Sequence, residues 1–175
     1  MKLKPVPFTA GIIIETEAYN GIVDRASHAY NARRTARNEH MYGEGGTSYV
    51  YICYGMHHLF NVVTNSKGIP HAILIRAIKP LAGIETMLKR RNKTTVDNTL
   101  SGGPGTLSVA LGINKIHSGL SLNGNKIWIE DRAIEVNSKD VKITPRIRVE
   151  VSVHCPALLC SGRGLIWRVG FDSGG

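Results

Sequence analysis

The sequence predicts a mixed α/β single domain of the α+β kind, and three observations carry that expectation. Segments with strand-like apolar and β-branched bias fill the first eighty residues, two short helical patterns follow, and the two kinds do not alternate with the period of a doubly wound fold. At 175 residues the chain is long enough to bury one core without disulfides or metals. One domain spanning 1–175 is therefore expected.

The elements follow in order. "GIIIETEAY" reads as a strand that ends on acidic residues, and the polar span from Asn20 to Glu39 reads as loop or short helix. "GEGGTS" is turn material ahead of Tyr49 to Cys53, "YGMH" is a reversal, and His58 to Thr64 is the returning strand, which places Tyr54 at the bend of an antiparallel hairpin. Val50, Ile52, Leu59 and Val62 are the positions expected to hold that hairpin to the core. "NSKGIPH" marks another turn, and "AILIRAI" is a further hairpin partner interrupted by Arg76. "PLAGIETMLKRRNK" puts Pro80 at a helix start, with Leu81, Ile84, Met87 and Leu88 at helical spacing and a basic end that suits the helix dipole. "SGGPGTLSVALGI" is a glycine-rich entry to a short apolar helix. It lacks the Gly-Lys-Ser/Thr of a phosphate loop. "KIWIEDRAIEV" and "RIRVEVSV" read as later strands.

Bulk properties narrow the function classes. A formal net charge of +9 with pI near 9.7 makes a polyanion, and nucleic acid first, the partner to consider. The alternative is a basic surface that serves solubility or meets acidic lipid. No apolar run approaches the roughly 18 to 20 residues of a membrane helix, and "MKLKPVPFTA" lacks the apolar core of a secretion signal. Three cysteines, Cys53, Cys155 and Cys160, form no C-x-x-C framework, which fits a reducing compartment.

The chemistry on offer is carboxylate chemistry beside aromatic rings. Glu15 and Glu17 lie two apart, so a strand puts them on one face with Thr16 opposite. They are either a solvated strand end or groups that activate water or stabilise a cation. Tyr19, His28, Tyr51 and Tyr49 supply flat rings that either fill a core or sandwich a planar base. Tyr51 and Tyr54 differ in strand parity, so Tyr51 is placed to line a pocket and Tyr54 to protrude. Neither a zinc-deaminase pattern nor a G-x-S-x-G elbow is present.

Together, "IIIETEAYNG", "RASHAYNARRTARNEHMY", "TSYVYICYGMHHLFNVV", "AILIRAIKP" and "SGGPGTLSVALGINK" resemble the alkyladenine (3-methyladenine) DNA glycosylase family, from about Gly11 to Lys115. The resemblance implies an antiparallel sheet with flanking helices and a protruding, DNA-intercalating β-hairpin. It implies a monofunctional enzyme that flips and hydrolytically excises alkylated purines from duplex DNA, leaving an abasic site. Glu17 matches the general base, with Arg76 supporting it and the catalytic water. Tyr19, His28 and Tyr51 match the residues that hold the flipped base, and Asn61 matches the one that crowds the amino group of guanine. Tyr54 matches the intercalating ring, and Thr35, Arg37 and Met41 are candidate DNA contacts. The expected partner is double-stranded DNA with damaged purines, met by a monomer with no cofactor, metal or membrane, in a bacterial cytoplasm or a eukaryotic nucleus. The N-terminus looks shortened against the family and residues 151–175 diverge from its closing pattern. A catalytically impaired lesion binder and a nonspecific nucleic-acid-binding module are the other readings.

Overall fold

The computed structural model describes residues 8–134 and 136–146. Four strands, β1 (Ala10–Asn20), β2 (Ser48–Cys53), β3 (His57–Val63) and β4 (His71–Ala82), form an antiparallel sheet in the order β1-β4-β3-β2. Two helices, α1 (Ile84–Arg90) and α2 (Pro104–Leu111), pack beside it in one small α+β domain. Residues 147–175, with most of "RIRVEVSV" and the divergent end, lie outside the described residues.

Strand parity divides the sheet into two working faces. Val50, Phe60, Val62, Ile75 and Ile78 point toward α1 and α2, where they join Met87, Leu107 and Leu111 in the main core. Their alternates, Tyr49, Val63 and Ala72, turn to the other face and pack with Ala29, Met41 and Tyr42 from the long segment between β1 and β2. The first cluster gives the sheet a rigid backing. The second carries aromatic and polar groups.

The hairpin forms where expected. The Cys53–Met56 turn is closed by the Met56 N–H on the Cys53 carbonyl at 3.2 Å, and its central residues Tyr54 and Gly55 have φ of 51° and 71°. Positive φ at both central positions gives the twist that matches right-handed strands. Ile52 departs from expectation. It is 37 % exposed, because its strand extends past the cover of the helices toward the hairpin tip, whereas Val50, Leu59 and Val62 are buried.

Two further expectations are corrected. Pro80 does not start a helix but lies inside β4, paired with Gly11 of β1. Pairing between β3 and β4 covers only Leu74 to Ala72, so at Pro80 β4 has one neighbour and a missing N–H is tolerated. The chain leaves the strand at Gly83, whose φ of +68° and close approach to the Phe8 carbonyl exclude a side chain, and α1 begins after it. Leu81, expected on the helix, is 48 % exposed. "KIWIEDRAIEV" likewise forms no strand among the described residues. Ile127 sinks into the main core, Trp128 makes a single bridge to Asn123 and Ile134 sits in another isolated bridge, while Glu130, Asp131 and Arg132 carry no strand pairing among the described residues.

Phe60 is fully buried at the centre of β3. Its replacement by alanine is expected to cost about 3 to 5 kcal/mol of stability, read as a lowered denaturation midpoint with unchanged slope.

Candidate active site

The site grows from two irregularities in the β1–β4 ladder. The register steps past Ile14 on β1 and past Arg76 on β4, so Arg76 is the extra residue of a bulge opposite Glu15 and Thr16. Bulges re-aim side chains. Here the result is that Arg76 reaches both acidic residues, with Nε donating to Glu15 Oε1 at 2.8 Å and NH1 lying 3.2 Å from Glu17 Oε1. The Glu17 side chain is 3 % exposed against 38 % for Glu15. Glu17 also accepts a hydrogen bond from the Tyr19 hydroxyl at 3.1 Å on its other oxygen, Oε2. A carboxylate removed from water is tolerated only when charge and donors meet it, and Arg76 and Tyr19 supply both.

Beside this group lies a cavity. Tyr19, Ala26, His28, Met41, Tyr49, Tyr51, Asn61 and Ala72 line about 310 Å³ of space that is partly open to solvent. The rings standing around it make an aromatic-lined recess, a wall suited to the face of a planar ring system. Tyr19, His28, Tyr51 and Asn61 are thus brought together from β1, the following loop, β2 and β3. Tyr51 stands edge-on to His28 with centroids 4.5 Å apart, and Tyr49 lies 5.4 Å from Tyr51 at a tilt of 33°. Asn61, opposite Tyr49 in the ladder, donates Nδ2 to the carbonyls of Tyr49 and Leu59 at 3.1 and 3.3 Å, which fixes its amide in the wall.

The lining groups are neutral near pH 7. Burial, and secondarily Cys53, pushes the Tyr51 phenol up to about 12, and burial raises Tyr19 and Tyr49 further. Burial, then the charges of Arg37 and Arg33, hold His28 below the ordinary histidine value. His28 Nδ1 meets the Tyr49 hydroxyl at 2.7 Å. With the imidazole neutral, a phenol that donates to Nδ1 leaves the ring proton on Nε2.

The remaining candidates surround this cavity differently. Met41 is buried and belongs to the wall, so it meets only what enters the cavity. Thr35 is exposed, its N–H and hydroxyl both donating to Asn38 Oδ1. Buried Asn38 in turn donates to the carbonyls of His28 and Arg33, which ties that loop into one piece. Exposed Arg37 donates to the Ile52 carbonyl at 3.0 Å and lies over Tyr51 at 5.6 Å. Tyr54 is 88 % exposed at the hairpin tip, away from the cavity.

Sequence reasoning did not single out Ala26 and Ala72, whose small size leaves room in the cavity. It also missed the buried pair of Asp24 and Arg146 behind Tyr19. Among the described residues no three histidines, cysteines or acids are grouped to hold a metal ion, and no helix is long and apolar enough to cross a membrane.

Residues 2–169 match the family described as methylpurine-DNA glycosylase. The chain is 48 % identical over 143 residues to a protein of Chlamydia felis (strain Fe/C-56) provisionally named 3-methyladenine DNA glycosylase, covering 81 % of this chain and 72 % of that one. A protein of the same provisional name from Bacillus cereus (strain ATCC 10987 / NRS 248) is 46 % identical over 158 residues, covering 84 % and 77 %. One from Alkaliphilus oremlandii (strain OhILAs) is 41 % identical over 145 residues, covering 79 % and 71 %. The chain belongs to the methylpurine-DNA glycosylase family and is a DNA N-glycosylase.

The lowered His28 value has a consequence for stability. As pH falls below about 6.5 the unfolded chain binds a proton that the folded ring resists, so the contribution is complete above that value and is lost through the lowered folded one. His28→Gln is expected to remove this step. Denaturation midpoints measured across that range should fall more steeply on acidification for the wild type than for the variant.

Proposed function

We propose that this family member flips an alkylated purine out of duplex DNA and hydrolyses its N-glycosidic bond, leaving an uncut abasic site. The observation that carries the reading is the buried Glu17 carboxylate, held by Arg76 and by the wall residue Tyr19 beside a cavity lined by aromatic rings. An ionised carboxylate can take a proton from water attacking the sugar C1′ while it stabilises the oxocarbenium character that develops there. Arg76 keeps that carboxylate aimed and completes its partners. No lysine nucleophile is needed for this chemistry.

Purines alkylated at N3 or N7 are cations and good leaving groups. The electron-rich faces of Tyr19 and Tyr51 attract such a ring by about 0.5 to 2 kcal/mol, more as water is excluded. His28 and Tyr49 close the aromatic wall, and Asn61 crowds an exocyclic amino group of the guanine type. Extrusion from the stack costs a few kcal/mol, least where damage has weakened pairing, so selection begins before chemistry.

Tyr54 takes the place of the expelled nucleotide. Its backbone supports this assignment: φ of 51° is costly for a bulky residue, and a ring 88 % exposed recovers nothing by packing. Asparagine or glycine would sit there more easily. A tyrosine kept at a strained, exposed bend is explained by a partner that receives the ring.

Two outcomes test this. Glu17→Gln is expected to slow release of free base from methylated duplex DNA by about 10² to 10⁴-fold at nearly unchanged lesion binding, measured in single turnover; wild-type rates would exclude Glu17 as the base. Tyr54→Asn is expected to leave the fold as stable or more stable, by up to about 1 kcal/mol, while weakening binding to lesion duplex. Unchanged affinity in that variant would remove the wedge role.

A further inference from the structure

The buried pair behind the cavity wall has no part in the proposal above. Arg146 and Asp24 meet in a two-pronged ion pair, NH1 to Oδ2 at 2.5 Å and NH2 to Oδ1 at 2.8 Å, with side-chain exposures of 0 % and 5 %. Burying such a pair adds little net stability over apolar side chains of the same volume, because desolvation offsets the attraction. Its geometry is what an apolar pair would not supply.

One guanidinium touches two separate pieces of the cavity wall. NH1 also donates to the Ala18 carbonyl at 3.1 Å, 128 residues away in sequence, and the guanidinium carbon lies 4.8 Å from the centre of the Tyr19 ring. The end of β1 is thereby held at residues 18 and 19. On the loop side, the Asp24 carboxylate accepts the Asn20 N–H at 3.1 Å and the Ala26 N–H at 3.0 Å as well as the two arginine donors. From there the Ser27 N–H returns to the Asp24 carbonyl and the Ser27 hydroxyl accepts the Ala29 N–H, so the turn that presents Ala26 and His28 is fixed to the same centre. Arg146 itself does not line the cavity. It acts through Tyr19 and the loop.

We propose that Arg146 is a positioning residue for base excision: it holds the Tyr19 ring against the cavity and, through the Tyr19 hydroxyl, the Glu17 carboxylate in its working direction. The inference rests on the roles given above to Glu17 and Tyr19. Arginine is suited to this task because its planar fork locks onto a carboxylate while its face lies on an aromatic ring, and lysine offers only the charge. A small displacement of a reacting group is enough to slow a reaction on the order of a hundredfold.

The test uses the full chain and dimethyl-sulfate-methylated duplex DNA, with free-base release followed in single turnover at saturating enzyme for Arg146→Met, Arg146→Lys, Tyr19→Phe and the two Arg146/Tyr19 double variants. Arg146→Met is expected to lower the rate constant on the order of ten- to a hundredfold with little change in lesion binding, and Arg146→Lys to recover part of it. Because both changes release the same carboxylate, each double variant should be no slower than its slower single parent. A purely architectural Arg146 predicts a lowered melting temperature with an unaltered rate constant per folded molecule, or losses that multiply with that of Tyr19→Phe; either result overturns the proposal. If Arg146→Met does not fold, the Arg146→Lys cycle decides alone, and a wild-type rate there is equally contrary. Glu17→Gln in the same assay separates the two levels. If it retains activity, the reading of the site fails; if it is inactive while the Arg146 variants excise at the wild-type rate, only this inference fails.

Discussion

Keeping a carboxylate out of water, in a protein of net charge +9, is the constraint from which the rest of this structure follows. Glu17 is the group so placed, and each of its oxygens has a partner, Arg76 at one and the Tyr19 hydroxyl at the other. Arg76 can serve only because β1 and β4 are neighbours and because the ladder bulges at Arg76 itself. A regular register would send the guanidinium and the two glutamates past one another. The irregular strand pairing therefore belongs to the site as much as the side chains do.

The sheet separates support from chemistry by parity. One face is apolar and packed by α1 and α2, and so provides a rigid platform; the other presents tyrosines and an asparagine toward a cavity whose loop cover supplies His28. Burial keeps those groups neutral. The cavity then offers π-faces and fixed dipoles, with the Glu17 carboxyl group and its Arg76 partner just behind one wall. The exposed hairpin tip, on the far end of β2 and β3, is free to do something else.

How much of this was legible in the sequence depended on how local each feature is. The hairpin and the exposed bend at Tyr54 were readable from turn residues and alternating bias, and the common face of Glu15 and Glu17 from their spacing. Ile52 was misplaced because alternation shows which side a residue faces, not where the cover on that side ends. Pro80 carries a local preference for a helix start that strand pairing with Gly11 overrides. "KIWIEDRAIEV" has strand composition but forms only isolated bridges, at Trp128 and Ile134, among the described residues. The Asp24–Arg146 pair joins residues 122 apart, and no periodicity or motif links them. Tyr19, His28, Tyr51 and Tyr49 could be grouped as flat rings from their residue types, but choosing a pocket over a core, and adding Asn61, came from family resemblance, since their separations reflect only the topology that folds them together.

The central claim is that a buried carboxylate beside an aromatic cavity releases an alkylated purine by water alone. It is tested most directly by resolving the products formed from methylated duplex DNA by chromatography and denaturing electrophoresis, with borohydride present in a parallel reaction. The account predicts free alkylated purine in step with abasic sites on intact strands, and no protein trapped on DNA. Strand cleavage with borohydride-trapped enzyme, or bound lesion DNA from which no base is released, would contradict it.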